Sequence, residues 1–139
     1  MGSPSVTPAM QDYLEVILSL GPGNQAVRVT DIASRRGIAK ASVSQAVAGL
    51  RRRGLVRQEP YGRVTLTESG LREAELVARR HRTLRSFLSD VLGVAPRQAE
   101  EEACRLEHAI SQDTLVRLVG FLEAHAPAAH GRLTEGGRR

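Results

Sequence analysis

Apolar positions recur at helical spacing along most of this chain and alternate strictly only in one short stretch. Thr7-Pro8 suits a helix N-cap followed by its first helical position. Tyr13, Leu14, Ile17, Leu18 and Leu20 then form a stripe that Gly21-Pro22-Gly23 ends. Thr30-Asp31 begins a short second helix with Ile32 and Ala33 inward, broken at Gly37. A third helix runs from about Lys40 to Arg53, turns Val43, Val47 and Leu50 inward, and stops at Gly54. Leu55-Val56-Arg57-Gln58 and Arg63-Val64-Thr65-Leu66 alternate on either side of Glu59-Pro60-Tyr61-Gly62, which predicts a β-hairpin. Thr67 caps a long helix over 68–92, ending before Gly93, with Ala74, Val77, His81, Leu84, Leu88 and Val91 as its inner seam. Pro96 opens a helix that carries Cys104, Glu107 and His108. Ser111 caps a last helix (Leu115, Leu118, Val119, Leu122) that fades at Ala126-Pro127. The Gly- and Arg-rich stretch 127–139 reads as a disordered tail.

The predicted fold class is mainly α with a small β-hairpin. Two short helices joined by a tight turn read as a helix-turn-helix, and a hairpin directly after them, tipped by Arg63, reads as its wing. Charge sharpens this. The net charge is +5, but residues 28–63 hold nine Lys or Arg against Asp31 and Glu59 alone. Residues 96–125 hold three Arg against six acids. A basic front half and an acidic rear half suit different partners, a polyanion at one end and cations at the other. Ala39, Lys40, Ala41, Ser42, Ser44 and Gln45 stand at the exposed start of the second helix of the pair. From there Gln can read adenine, small apolar groups can touch thymine methyls, and Ser or Lys can meet phosphate or base. Arg51, Arg52 and Arg53 follow where backbone phosphates could be met, and Arg28, Arg51 and Arg63 complete the expected DNA-binding set.

With only about 3% aromatic residues and no Trp, the core must be Leu, Val, Ile and Ala, in one compact domain or two small ones. The longest apolar runs fall far short of a bilayer span, so no membrane partner is expected. A lone cysteine can form no internal disulfide, so a cytoplasmic location is expected. That cysteine sits in the stretch with the most chemistry. Cys104, Glu107 and His108, at i, i+3 and i+4, share one helix face and offer thiolate, carboxylate and imidazole to a divalent transition metal. By itself a buried cysteine is most often a small hydrophobe. Asp12 and Glu15 read most simply as solvated acids near a helix N-terminus. His81, on an apolar stripe, reads as a hydrogen-bonded core residue or as a ligand.

Asp12-Tyr13-Leu14-Glu15, Val43-Ser44-Gln45, Gly54-Leu55-Val56, Leu66-Thr67-Glu68-Ser69-Gly70, Arg80-His81-Arg82 and the 102–108 stretch together carry a resemblance. Over residues 7–125 the chain resembles the diphtheria toxin repressor and manganese transport regulator family of metal-dependent repressors. The resemblance implies a winged helix-turn-helix DNA-binding domain over 7–70 and an all-helical metal-binding and dimerisation domain over 71–126, sharing the long linker helix. It implies a homodimer that binds a palindromic double-stranded DNA operator when loaded with Mn²⁺ or Fe²⁺, with Co²⁺ or Zn²⁺ as substitutes, and that controls metal-homeostasis genes. No enzymatic activity and no small organic substrate are implied. Asp12, Glu15 and His81 match ligands of the manganese type, and Glu107 and His108 match ligands of both types. Cys104 matches the iron type, where the manganese type has Glu. Glu100 and Arg85 fall where iron-type members keep His and Glu for an ancillary site, so that second site is expected to be missing.

The hybrid set leaves the metal open between the two types, since carboxylates suit hard Mn²⁺ and one thiolate shifts preference towards Fe²⁺, Co²⁺ or Zn²⁺. Two other readings use the same residues. One is a winged-helix regulator without metal in which Cys104 senses oxidants, although no second cysteine could resolve an oxidised form within the chain. The other is a metallohydrolase, which would need an open coordination position and a spare base.

Overall fold

The computed structural model describes residues 6–60 and 62–125. The tail expected over 127–139 and the end expected at Ala126-Pro127 lie outside the described residues. The chain forms two compact units, the first ending at Ala78 and the second beginning at Arg79.

In the first unit α1 (Pro8–Leu20) starts as expected: Thr7 accepts a hydrogen bond from the Met10 amide, and Pro8 opens the helix. α2 (Val29–Arg36) and α3 (Lys40–Arg52) follow. α2 starts one residue before Thr30 and has no side-chain cap; the Arg28 carbonyl takes the first amides instead. Gly37, at φ 70°, ends α2 in the left-handed region, where its amide bonds to the Ala33 carbonyl and a side chain would be strained. β1 (Val56–Gln58) and β2 (Val64–Leu66) pair antiparallel with Val56 opposite Leu66. The core of this unit draws Leu14 and Ile17 from α1, Ile32 from α2, Val43, Val47 and Leu50 from α3, and Leu55, Val56, Val64 and Leu66 from the hairpin. All the inward positions expected for α2 and α3 are buried.

Two features of the hairpin were not legible in the pattern. Val27 forms an isolated bridge to Val64 with both backbone hydrogen bonds at 2.8 Å, which gives β2 a second neighbour. The Asn24 side chain then bonds both the amide and the carbonyl of Leu66 at 3.0 Å, standing in for a strand backbone. The start of α4 is fastened to the hairpin as well. Thr67 accepts from the Gly70 amide and donates to the Gly54 carbonyl, and a β-carbon on Gly70 would overlap the Leu55 carbonyl.

α4 (Glu68–Ser86) carries the chain into the second unit and passes into a π-helical turn, Phe87–Val91. The long helix expected to Leu92 is therefore not uniform. A π-turn bonds i to i+5, seen here as the Leu92 amide on the Phe87 carbonyl, and so advances the register. Ala74, Val77, His81, Leu84 and Leu88 keep the inner seam, while Val91 swings out to 43% exposure. α5 (Pro96–Leu106) and α6 (Gln112–His125) complete the unit, the latter capped by Ser111 on the Thr114 amide. Leu84, Leu88, Ala99 and Ala103 form its small core.

Candidate metal centre and nucleic-acid surface

The second unit assembles its polar cluster from α4 and the end of α5. α5 stops at Leu106, so Glu107 is its C-cap and His108 lies in the turn beyond, not within a continuous helix as the spacing suggested. Glu107 still has helical backbone angles, and its amide bonds to Ala103. Ala99, Ala103 and Glu107, four residues apart, therefore make the inward face, and Glu107 ends up fully buried. Cys104 is one residue, about 100°, further round and is exposed. The shared face expected for Cys104, Glu107 and His108 thus divides: the structure buries Glu107, half-buries His108 and leaves Cys104 at the surface.

His81 meets this face from α4. Its Nδ1 lies 2.8 Å from Glu107 Oε1 and its Nε2 2.8 Å from Glu100 Oε2. Two carboxylates two helical turns apart on α5 thus grip one imidazole, which is itself only 7% exposed. Facing an acceptor on each nitrogen, the ring is held as the imidazolium. The hydrogen bond with Glu107 raises its pKa from 6.5 to about 9; burial works against this, and Glu100 adds to it. For Glu100 desolvation pulls upward, but the His81 and Arg85 contacts outweigh it and hold the carboxyl below its ordinary value. Arg85 Nη1 lies 3.3 Å from Glu100 Oε1.

The second oxygen of Glu107 behaves differently. Glu107 Oε2 is buried and has no hydrogen-bond partner among the described residues. It lies 3.3 Å from His108 Nε2, close enough for attraction but not in hydrogen-bonding geometry. A buried carboxylate oxygen left without a donor is expensive. A divalent cation held by Glu107, His81 and His108 would satisfy it, and one carboxylate with two imidazoles suits Mn²⁺, Fe²⁺, Co²⁺ or Zn²⁺. The residues present fit a metal ion.

In the first unit, Asp12 and Glu15 lie half-buried on α1, not fully solvated. Asp12 is 3.6 Å from Arg36 on α2, whose guanidinium also covers the Tyr13 ring at 4.9 Å. Ala39, Lys40, Ala41, Ser42, Ser44 and Gln45 are all exposed at the start of α3, as are Arg28, Arg51 and Arg63. Arg28, Thr30, Lys40, Ser44, Gln58 and Arg63 line an open groove of about 500 Å³ between α3 and the hairpin. Three cations and four uncharged hydrogen-bonding groups, counting Gln45 beside it, form a surface suited to phosphate and base edges.

Residues 5–64 match the family model for the iron dependent repressor N-terminal DNA binding domain, and residues 67–133 match that for the iron dependent repressor metal binding and dimerisation domain. The chain belongs to the iron-dependent repressor family. Within that family it is 38% identical over 119 residues to an uncharacterised HTH-type transcriptional regulator of Methanocaldococcus jannaschii, covering 85% of this chain and 95% of that one. It is 32% identical over 120 residues to the transcriptional regulator MntR of Salmonella typhimurium, covering 86% and 76%. A solved manganese-dependent transcriptional repressor in complex with manganese superposes with a TM-score of 0.73 at 36% identity, over 81% of this chain and 52% of that one. The chain thus spans about half the length of that repressor. These relatives are transcriptional regulators and the family is not one of enzymes. Among the described residues no helix is long and apolar enough to cross a membrane.

One residue in the cluster was missed as a participant. Glu100 was read only as a departure from an ancillary site, yet it holds His81 directly. Its position seven residues before Glu107 is the signal, since i and i+7 share a helix face.

Proposed function

We propose that this chain is a cytoplasmic repressor whose binding to a palindromic operator is switched on by Mn²⁺ or Fe²⁺. The observation that carries the reading is the buried Glu107 carboxylate, with Oε1 against His81 and Oε2 near His108 but without a hydrogen bond. Asp12, Glu15 and Cys104 join the ligand set by family resemblance, with Cys104 as the one soft donor and the route by which Co²⁺ or Zn²⁺ could substitute. The DNA-binding domain is taken as 7–70 and the metal-binding and dimerisation domain as 71–126.

A bound cation would supply positive charge and directed bonds to this set, offsetting the mutual repulsion of its acids. Glu107 would bring its buried carboxylate, His81 one ring nitrogen once that nitrogen gives up its proton, and His108 a second imidazole. Asp12 and Glu15 belong to α1, so engaging them restrains the helix on which the helix-turn-helix packs through Leu14 and Ile17. Lys40, Ser44 and Gln45 then meet base edges, and Arg28, Arg51 and Arg63 meet phosphates. Dimerisation sets the spacing of the two recognition helices, and Val91, Leu92, Leu106, Val116 and Phe121 give the second unit exposed apolar surface for it. Ion affinity of the DNA-competent form and DNA affinity of the ion-loaded form must rise together.

Changing His108 to Ala tests this reading. The variant should keep its helical content and lose Mn²⁺- and Fe²⁺-stimulated retardation of operator DNA in gel shifts. Equal stimulation in the variant and the parent would refute the assignment.

A further inference from the structure

The grip on His81 is asymmetric. Glu107 is fully buried with one oxygen unpartnered, whereas Glu100 has a half-exposed side chain and both of its oxygens engaged. Glu100 Oε2 accepts from His81 Nε2 at 2.8 Å, and Glu100 Oε1 accepts from Arg85 Nη1 at 3.3 Å. Arg85 sits four residues after His81 on α4, so the guanidinium, the carboxylate and the imidazole form a closed loop between two helix faces.

We infer that Glu100, anchored by Arg85, orients His81 for ion binding while remaining outside the coordination set. This rests on the metal-sensing reading above. A carboxylate that accepts the hydrogen of one ring nitrogen fixes the tautomer and turns the other nitrogen towards an ion. Here Glu100 holds Nε2–H, so Nδ1, 2.8 Å from Glu107 Oε1, is the nitrogen that would give its proton up and turn to the ion. Arg85 makes Glu100 a poor ligand in its own right, because its negative charge is already offset by a fixed cation 3.3 Å away. The same guanidinium disfavours a second divalent ion at Glu100, since two like charges at such range repel. The loop therefore supports one ion per chain and positions one of its ligands.

Three variants test this with Mn²⁺ and Co²⁺ as probes: Glu100→Ala, Glu100→Gln and Arg85→Ala. By calorimetry Glu100→Ala should bind Mn²⁺ about 10–100-fold more weakly, the usual cost of losing such a partner. Glu100→Gln, whose amide oxygen can still accept from Nε2–H, should recover most of that loss. The visible absorption of bound Co²⁺ should keep its shape in all three, because the donor atoms are unchanged. Arg85→Ala should also weaken Mn²⁺ binding, which keeps the test open should Glu100→Ala fail to fold. Unchanged affinity in both Glu100→Ala and Arg85→Ala would overturn the inference, as would equal losses in the two Glu100 variants with an altered Co²⁺ spectrum. If the unsubstituted protein bound neither ion, the metal-sensing reading would fall, and this inference with it.

Discussion

Replacing Glu107 by Gln separates an ion-binding role from a structural one. The side chain is fully buried, with one oxygen 2.8 Å from His81 Nδ1 and the other without a hydrogen bond. Gln keeps the shape, and its amide oxygen can still accept from Nδ1–H, so the ion-free fold should change by no more than about 1–2 kcal/mol. The anionic donor is lost, however. A direct ligand should matter at least as much as an outer-shell partner, so ion affinity should fall by about 100-fold or more. Melting curves convert this into a readable difference. At Mn²⁺ roughly 100 times the parent's Kd, binding stabilises the parent by about 2.7 kcal/mol. For a chain of 139 residues each kcal/mol is worth about 4 °C, a rise of about 10 °C. At the same concentration the variant sits near its own Kd and gains about 0.4 kcal/mol, about 2 °C. A variant that keeps the full Mn²⁺-dependent rise would refute Glu107 as a ligand. A variant that cannot fold without ion would show that the carboxylate serves mainly the structure.

Other outcomes follow from the same geometry. The ion-free protein should be most stable on the acid side of His81: its ion pairs contribute fully below about pH 6.5 and are lost as pH rises through about 9, because its folded pKa is raised. Urea midpoints between pH 6 and pH 10 should fall in that window for the parent and stay flatter for His81→Phe; a parallel profile would contradict the assignment. Gly70→Ala should destabilise by about 2–3 kcal/mol through overlap with the Leu55 carbonyl, and a change within the error of chemical denaturation would mean that the start of α4 can shift freely. Lys40→Ala and Arg63→Ala should each lower the salt dependence of operator binding by about one counterion; unaltered slopes would remove these residues from the phosphate contacts.

Helix-forming positions were read correctly wherever local chemistry decided them. Thr7, Thr67 and Ser111 each accept from an amide three residues on, which is a rule of sequence spacing. The π-turn at Phe87–Val91, which packs against α5, was not legible, because the apolar spacing of the long helix gives no sign of its extra residue. Val91 was therefore assigned to the wrong face. The bridge from Val27 to Val64 was equally hidden, since Val27 sits alone in a loop and pairs with a residue 37 positions away. In the candidate centre the sequence placed His81 inward through its periodic neighbours, and put Glu107 on a face shared with Cys104 and His108. Cys104 is exposed, because the inward stripe on α5 runs through two alanines, Ala99 and Ala103, a weaker cue than a cysteine. The Glu100–Arg85 loop depends on how α4 meets α5, which no single-helix pattern specifies.

The most direct measurement is the affinity of the unsubstituted protein for a duplex selected from random sequence by its ion-loaded form. Fluorescence anisotropy would be read with chelator, after Mn²⁺ or Fe²⁺ is added, and after chelator is restored. Binding that tightens at least tenfold with ion and relaxes when the ion is withdrawn is the expected result. Binding of the same strength in all three conditions would mean that the acids and imidazoles of this protein do not govern its grip on DNA.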